Sequence, residues 1–224
     1  MIKHHPKFEH LQSFVNGELP ASIAAGIAIH AEMCPECQNM ISQLTEQIAE
    51  ISFEKEPLRQ SVNDNPIEEK LDLDSMIESI TASDDVATLQ PVYDKSIQFK
   101  AHSYTLPQAL HNITQGKTAH VGKLSRTRLQ LNEGDIRTSL LHIDPGGSVP
   151  EHTHNGFELT LLLAGSFSDA NGKYVAGDFI MLDNSHNHHP ISEHGCLCYT
   201  VANDSLHFTK GINKLLNPIG SFIY

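Results

Sequence analysis

The chain has no tryptophan, only four cysteines, and few basic side chains: 15 Lys and Arg stand against 27 Asp and Glu, for a net charge of -12. No apolar run approaches the roughly 20 residues that a membrane-spanning helix needs. The opening Met1-Ile-Lys-His-His-Pro6 lacks the apolar core of a signal peptide. We therefore expect a cytoplasmic protein that does not enter a membrane. An acidic surface repels nucleic acid, so no direct contact with DNA or RNA is expected. The cysteines fall as two close pairs, Cys34/Cys37 and Cys196/Cys198. In a reducing compartment such pairs read as metal ligands or redox thiols rather than structural disulfides.

What is present is unevenly placed. Residues 1–95 carry 17 acidic and 6 basic side chains, whereas residues 96–224 carry 10 and 9. A chain of 224 residues fits one large domain or two small ones, and the charge asymmetry favours two units with different partners. The first half has helical periodicity. Phe8, Leu11 and Val15 recur before Gly17, Pro20 stands where a second helix would start, and Pro35 stands where a third would. Met40, Ile41, Leu44, Ile48 and Ile51 form the apolar side of the third. A fourth helix is expected from Ile67 to Ile80, with Leu73, Met76, Ile77 and Ile80 on one face; it either packs on its own bundle or reaches a partner's groove. The pattern fades from Thr81 to Gln90. Beyond it the period shifts to two, with strands expected at 138–143, 158–163, 178–182 and 196–201, and turns at Asp144-Pro-Gly-Gly147, Asp169-Ala-Asn-Gly172 and Glu193-His-Gly195. Short strands at this spacing indicate a β-sandwich or barrel.

Two sets of metal-ligand residues occur, in two chemical styles. His30-x3-Cys34-x2-Cys37 places His30 and Cys34 one helical turn apart and completes a Cys-x2-Cys knuckle. Zinc in a structural site takes four such ligands in a tetrahedron. The fourth has to come from afar, and His4 or His5 is the available choice. Closing that loop would clamp the first helices together and make metal binding a source of folding energy. A reduced thiol pair or a redox Cys-x2-Cys is the alternative reading. The second set is His152-x-His154-x3-Glu158: the two histidines face the same way on a strand, and Glu158 shares their parity if the strand continues past a turn at Asn155-Gly156. His188 would face them from a later strand or turn. Three imidazoles and a carboxylate hold Zn, Fe, Mn or Ni, usually with one position open. Cys196 and Cys198 share a strand face, which suits buried small hydrophobes better than a disulfide; an oxidisable pair is the alternative.

The first pattern resembles the zinc-binding anti-sigma domain, whose signature is an upstream His followed by His-x3-Cys-x2-Cys. That resemblance covers about residues 1–85. It implies a small four-helix unit that binds a group IV (extracytoplasmic-function, ECF) sigma factor, with His5, His30, Cys34 and Cys37 as zinc ligands. The stretch from Gly146 to Gly165 is similar to the first cupin motif, Gly-x5-His-x-His-x3-Glu-x6-Gly. In the second cupin motif Gly177 and His188 match, whereas Asp183 stands at the Pro position, Ser185 at the Gly position, and the closing Asn is missing. The family spacing makes His152, His154, Glu158 and His188 the ligands and leaves His186 and His189 as loop histidines. Together the halves resemble the ChrR family of anti-sigma factors. The fold this implies is a multidomain α plus β chain: a zinc-binding anti-sigma domain at 1–85, a linker at 86–100 and a cupin β-barrel or jelly roll at 101–224. The resemblance also implies two zinc ions and release of the sigma factor on exposure to singlet oxygen or organic hydroperoxide. It implies a regulator with no catalytic residues. The competing expectation is a cupin-type metal-dependent dioxygenase or related small-molecule enzyme.

Overall fold

The computed structural model describes residues 1–54, 72–83, 94–153, 156–203 and 207–208. The first half is helical. Helix α1 (Phe8–Val15) ends in the turn at Gly17, whose φ of 71° is left-handed. Pro20 is the N-cap of α2 (Ala21–Met33), and Pro35 opens α3 (Pro35–Glu54), where its missing N–H costs nothing. Helix α4 (Leu73–Thr81) is capped by the Asp72 carboxylate, which accepts from the Ser75 amide. The part of the fourth expected helix at 67–71 lies outside the described residues.

Helices α1, α2 and α3 pack through Leu11, Ile23, Ile27, Ile29 and Leu44. Helix α4 buries none of its residues. Its apolar face is open to solvent, with Leu73 64% and Ile80 71% exposed, and at the far end of α3 Phe53 is 90% exposed.

The second half is antiparallel. In chain order its strands are β1 (Ser96–Phe99), β2 (His102–Thr105), β3 (Thr114–Val121), β4 (Leu124–Gln130), β5 (Arg137–Ile143), β6 (Gly147–Ser148), β7 (His152–Thr153), β8 (Glu158–Asp169), β9 (Gly172–Val175), β10 (Phe179–Leu182), β11 (Ile191–Ser192), β12 (Cys196–Ala202) and β13 (His207–Phe208). The main sheet runs β3-β4-β5-β12-β8-β11-β6, with β9 and β10 paired to the long β8; β1-β2 and β7-β13 are separate two-stranded ladders. The sheet curls into a half-barrel, an open form of the expected cupin barrel.

Alternation along the strands gives the sheet two apolar faces. One carries Leu129, Leu140, Leu159, Leu161, Tyr199 and Val201, and these share a single buried cluster with the helices and the β1-β2 hairpin. The other carries Leu141, Ile143, Leu162, Phe167, Cys196 and Cys198, and forms the inside of the curl. Helix α2 lies close on the first face because Gly26 has no side chain there: a Cβ at that point would stand 2.9 Å from Leu159 Cδ2 and 3.4 Å from Tyr199 Cε1. The Tyr199 hydroxyl then donates to the Ser22 carbonyl at 2.8 Å. Gly26→Val should therefore overpack the seam and lower stability by about 1–3 kcal/mol. Thermal unfolding of the full chain checks this, and an unchanged melting temperature would mean that helix and sheet are not held this closely.

Candidate functional site

Among the described residues, two groups of donor atoms coincide with the sequence motifs. The first joins His5, His30, Cys34 and Cys37, whose donor atoms all lie within 4.8 Å of one another. His30 Nε2 is 3.3 Å from Cys37 Sγ, and His5 Nδ1 is 3.4 Å from both Cys34 Sγ and Cys37 Sγ. Ligands on a tetrahedral cation with imidazole and thiolate bonds stand about 3.3–3.8 Å apart. Helix α2 delivers His30 on its last turn, and the break at Cys34 before Pro35 turns both thiols inward. His4 takes no part; its ring is tilted over Tyr174 at 4.9 Å.

The electrostatics suit a bound cation. Burial, then the neighbouring Cys34 thiol, pushes Cys37 up to about 12. Cys37 will not ionise readily unless a positive charge compensates. Burial also lowers the pKa of His30 and keeps the imidazole neutral. Its Nδ1 donates to the Gly177 carbonyl at 2.7 Å, which fixes the tautomer and leaves the Nε2 lone pair facing the thiols.

His5 is held from the sheet. The Asp178 carboxylate is fully buried and accepts from the Lys3 and His4 amides at 2.7 and 3.0 Å and from Val175 at 2.8 Å, while the Phe179 amide donates to the His4 carbonyl. The N-terminal strap is thus sewn to the β9-β10 turn, and His5 follows directly. Sequence reading missed Asp178, and nothing in its local sequence signals the role.

The second group is His152, Glu158 and His188, all buried. His152 Nε2 and His188 Nε2 are 2.8 Å apart, and His188 Nε2 is 3.3 Å from Glu158 Oε2. The His152 Nδ1–H donates to the Pro150 carbonyl at 2.8 Å, which fixes the tautomer with the lone pair on Nε2. Reciprocal backbone hydrogen bonds between His152 and His188 lock the two together. His154 lies outside the described residues. His186 is exposed and bonded to Asp183, and His189 is exposed; neither joins the group. A cavity of about 20 Å³ adjoins it, lined also by Leu141, Thr160, Cys198 and Thr200. That is room for about one water molecule. Cys196 and Cys198 are buried on this face with their sulfurs 4.0 Å apart. Gly165, which ends the first motif, has a steric reason to be glycine: its φ is 77°, and a Cβ there would stand 2.1 Å from the Gly195 carbonyl oxygen.

A third group, His102, His142 and Asp144, was not read from the sequence, although His142-x-Asp144 at a strand end is a findable spacing. His142 is buried, stacks on Phe99, and bridges the Tyr104 hydroxyl at 3.3 Å to Asp144 at 2.9 Å. The Lys100 ammonium pairs with Asp144 and fills the place of a cation. This network is a clasp that fastens the β1-β2 hairpin to the sheet.

The fold and these groups define a protein class: a helical unit with a Cys/His cluster seated on a cupin-like sheet with a His/Glu cluster. Residues 112–205 match the family described as the ChrR cupin-like domain. The whole chain is similar to the anti-sigma-E factor ChrR of Cereibacter sphaeroides, with 25% identity over 219 residues and 97% of each chain covered. Its fold is that of a chain in the crystal structure of Rhodobacter sphaeroides SigE in complex with the anti-sigma ChrR, at 23% identity and a TM-score of 0.63, covering 90% of this chain and 99% of that one. No helix among the described residues is long and apolar enough to cross a membrane.

Asp178 offers a direct test of the strap. Burial opposes its ionisation, but the Lys3, Val175 and His4 amides outweigh it, so its pKa lies below the usual carboxylate value. Its stabilising effect is present above the unfolded pKa of about 4 and is lost as the pH falls through the lowered native value. Asp178→Asn should cost about 1–3 kcal/mol, flatten this acid limb of the stability curve and speed hydrogen exchange at Lys3, His4 and Val175. Unchanged exchange at these amides would show that the strap is held by something else.

Proposed function

We propose that the chain is an anti-sigma factor that sequesters a group IV (ECF) sigma factor and releases it in response to singlet oxygen or organic hydroperoxide. The observation that carries this reading is the similarity to ChrR along both halves, in the same order. In this reading the division of labour is an anti-sigma domain at 1–85, a linker at 86–100 and a cupin-like sensor at 101–224, in a cytoplasmic protein that touches neither DNA nor membrane. Zinc at His5, His30, Cys34 and Cys37 is structural, because four protein donors leave no position for chemistry. A second metal at His152, His154, Glu158 and His188, zinc by preference, serves the sensor. The exposed apolar stripe of α4, with Asp72, Asp74 and Glu78 beside it, gives the sigma factor an amphipathic and acidic docking helix. The protein is a regulator and not an enzyme.

Co-expression with the sigma factor of the same operon, pull-down and metal analysis test this. A one-to-one complex carrying two zinc ions is expected; no complex, with iron or manganese bound, would favour the enzyme. Replacing Met76 and Ile77 by Asp should leave the fold intact and weaken the complex by about 2–4 kcal/mol, tens- to several-hundred-fold in Kd. Cys34→Ser should cost the helical unit its fold and the complex with it. Glu158→Gln should keep the complex but blunt its release by oxidants. An undiminished oxidant response in the Glu158 variant would remove the sensor role from this site.

A further inference from the structure

The inner face of the curled sheet carries a group of cations that neither cluster uses. Arg126 and Arg128 are two apart on β4 and so share a face. Strand register sets Arg126 on one rung with Leu141, Cys198 and Leu162, and Arg128 on the next with Ser139, Thr200 and Thr160. Arg137 is on the rung of Ala202 and Glu158. This is the face of the His/Glu group, since Leu141, Cys198, Thr160, Thr200 and Glu158 line its cavity. Between the arginines and Glu158 the floor is built of short, buried side chains: Ser139, Thr200, Ala202 and Thr160.

Among the described residues, none supplies these guanidinium groups with counter-charge. Arg126 Nε and Nη1 are buried with no hydrogen-bond partner among the described residues. No ion pair joins any of the three arginines to a described carboxylate. Glu158 is turned toward His188, 3.3 Å away. Burial, then repulsion from Arg126 and Arg137, brings the pKa of Arg128 down to about 10; burial and Arg137 lower that of Arg126. A guanidinium lowered to about 10, as at Arg128, still carries its proton at neutral pH. Arg126 and Arg128 are half-buried and Arg137 is exposed at the edge; holding two half-buried guanidinium groups side by side is unfavourable unless something offsets it. Native structures leave few buried polar atoms unsatisfied, and each calls for a reason. The planar guanidinium fork matches a carboxylate or phosphate with two parallel hydrogen bonds.

We propose that the inner face of the sheet holds an oxyanion site, in which Arg126 and Arg128, with Arg137 at the edge, bind a small carboxylate- or phosphate-bearing molecule beside the His152/Glu158/His188 group. The Ser139, Thr200 and Thr160 rung gives the ligand a polar floor. The bound anion supplies the counter-charge that no described residue gives the arginines, and makes the site selective for anions within a chain of net charge -12. The site does not depend on the sigma-factor reading, because its ligand is measured on this chain alone.

The test titrates the full-length chain with inorganic phosphate and, separately, with malonate, following heat of binding and melting temperature at constant ionic strength set with sodium chloride. Saturable binding of at least one probe, with a Kd of about 1 mM or tighter, is expected. Phosphate alone would identify a phosphoryl ligand, and malonate alone a carboxylate. Arg128→Lys keeps the charge and loses the fork, so it should weaken binding at least tenfold without disturbing the fold. Arg126→Leu should abolish the ligand-dependent rise in melting temperature. Lys173→Met, an exposed charge loss on β9, should leave binding unchanged. Absence of saturation by either probe, or equal binding by the wild type and the Arg128 variant, would overturn the site.

Discussion

The turn between β9 and β10 is the constraint on which the arrangement of both halves depends. The Gly177 carbonyl accepts from His30, the Asp178 carboxylate gathers the amides of Lys3 and His4, and Phe179 donates to His4. Gly177 makes this possible by its own backbone, with a φ of 93° and no Cβ where Ile2 packs; a Cβ there would lie 2.4 Å from Ile2 Cδ1. The two imidazoles of the N-terminal cluster are therefore both positioned by the cupin-like half, one through its ring and the other through the strap that precedes it. The helical unit closes its Cys/His cluster on the sheet and not within itself.

The period of two in the strands then separates the tasks. Residues of one parity on β5, β8 and β12 form the seam with α2, and residues of the other parity form the inside of the curl, where Glu158 and the arginines stand. A register slip of one residue would exchange the two sets and put Glu158 against a helix. The Leu197/Cys198 bulge opposite β8 and the left-handed Gly165 lie at the point where the strand leaves one pairing for the next. Sheet register thus protects the docking surface for the helices and the polar face together.

The parts of the fold legible in the sequence are those written in local spacing. Pro20 and Pro35 mark helix starts, the strand at 138–143 is found as β5, and that at 196–201 as β12. The strand expected at 158–163 runs on to Asp169 as β8, because its later residues pair with β9 and β11, and a local pattern cannot show which neighbours a strand will find. The strands from 96 to 130 went unread for a similar reason. Polar residues such as Ser125 and Thr127 are buried there by tertiary packing, which blurs the alternation. Of the candidate sites, His30, Cys34 and Cys37 sit one turn apart on adjoining helices, and His152 and Glu158 share a motif. Asp178 gathers amides remote in sequence and the His142 clasp reaches back to the β1-β2 hairpin, so neither is complete in a short window; the arginines lie within residues 126–137, but only the pairing of β4 with β5 sets them on one face.

The two clusters are joined by a short continuous stretch of chain. It begins at the Gly177–Asp178 turn under the Cys/His group, passes along β10, which pairs with β8 so that Leu182 stands opposite Glu158, and ends at His188. Both ends are fixed by polar contacts and not by packing alone: amides and an imidazole at one end, a mutual backbone bridge with His152 at the other. Hydrogen bonds of this kind have defined lengths and directions, so a turn held by them has few intermediate positions available. Four protein donors close the cluster at one end, whereas the group at the other end borders a cavity and the face that carries Arg126 and Arg128. The two clusters are thus positioned from opposite ends of one short stretch, the first through the Gly177–Asp178 turn and the second through His188.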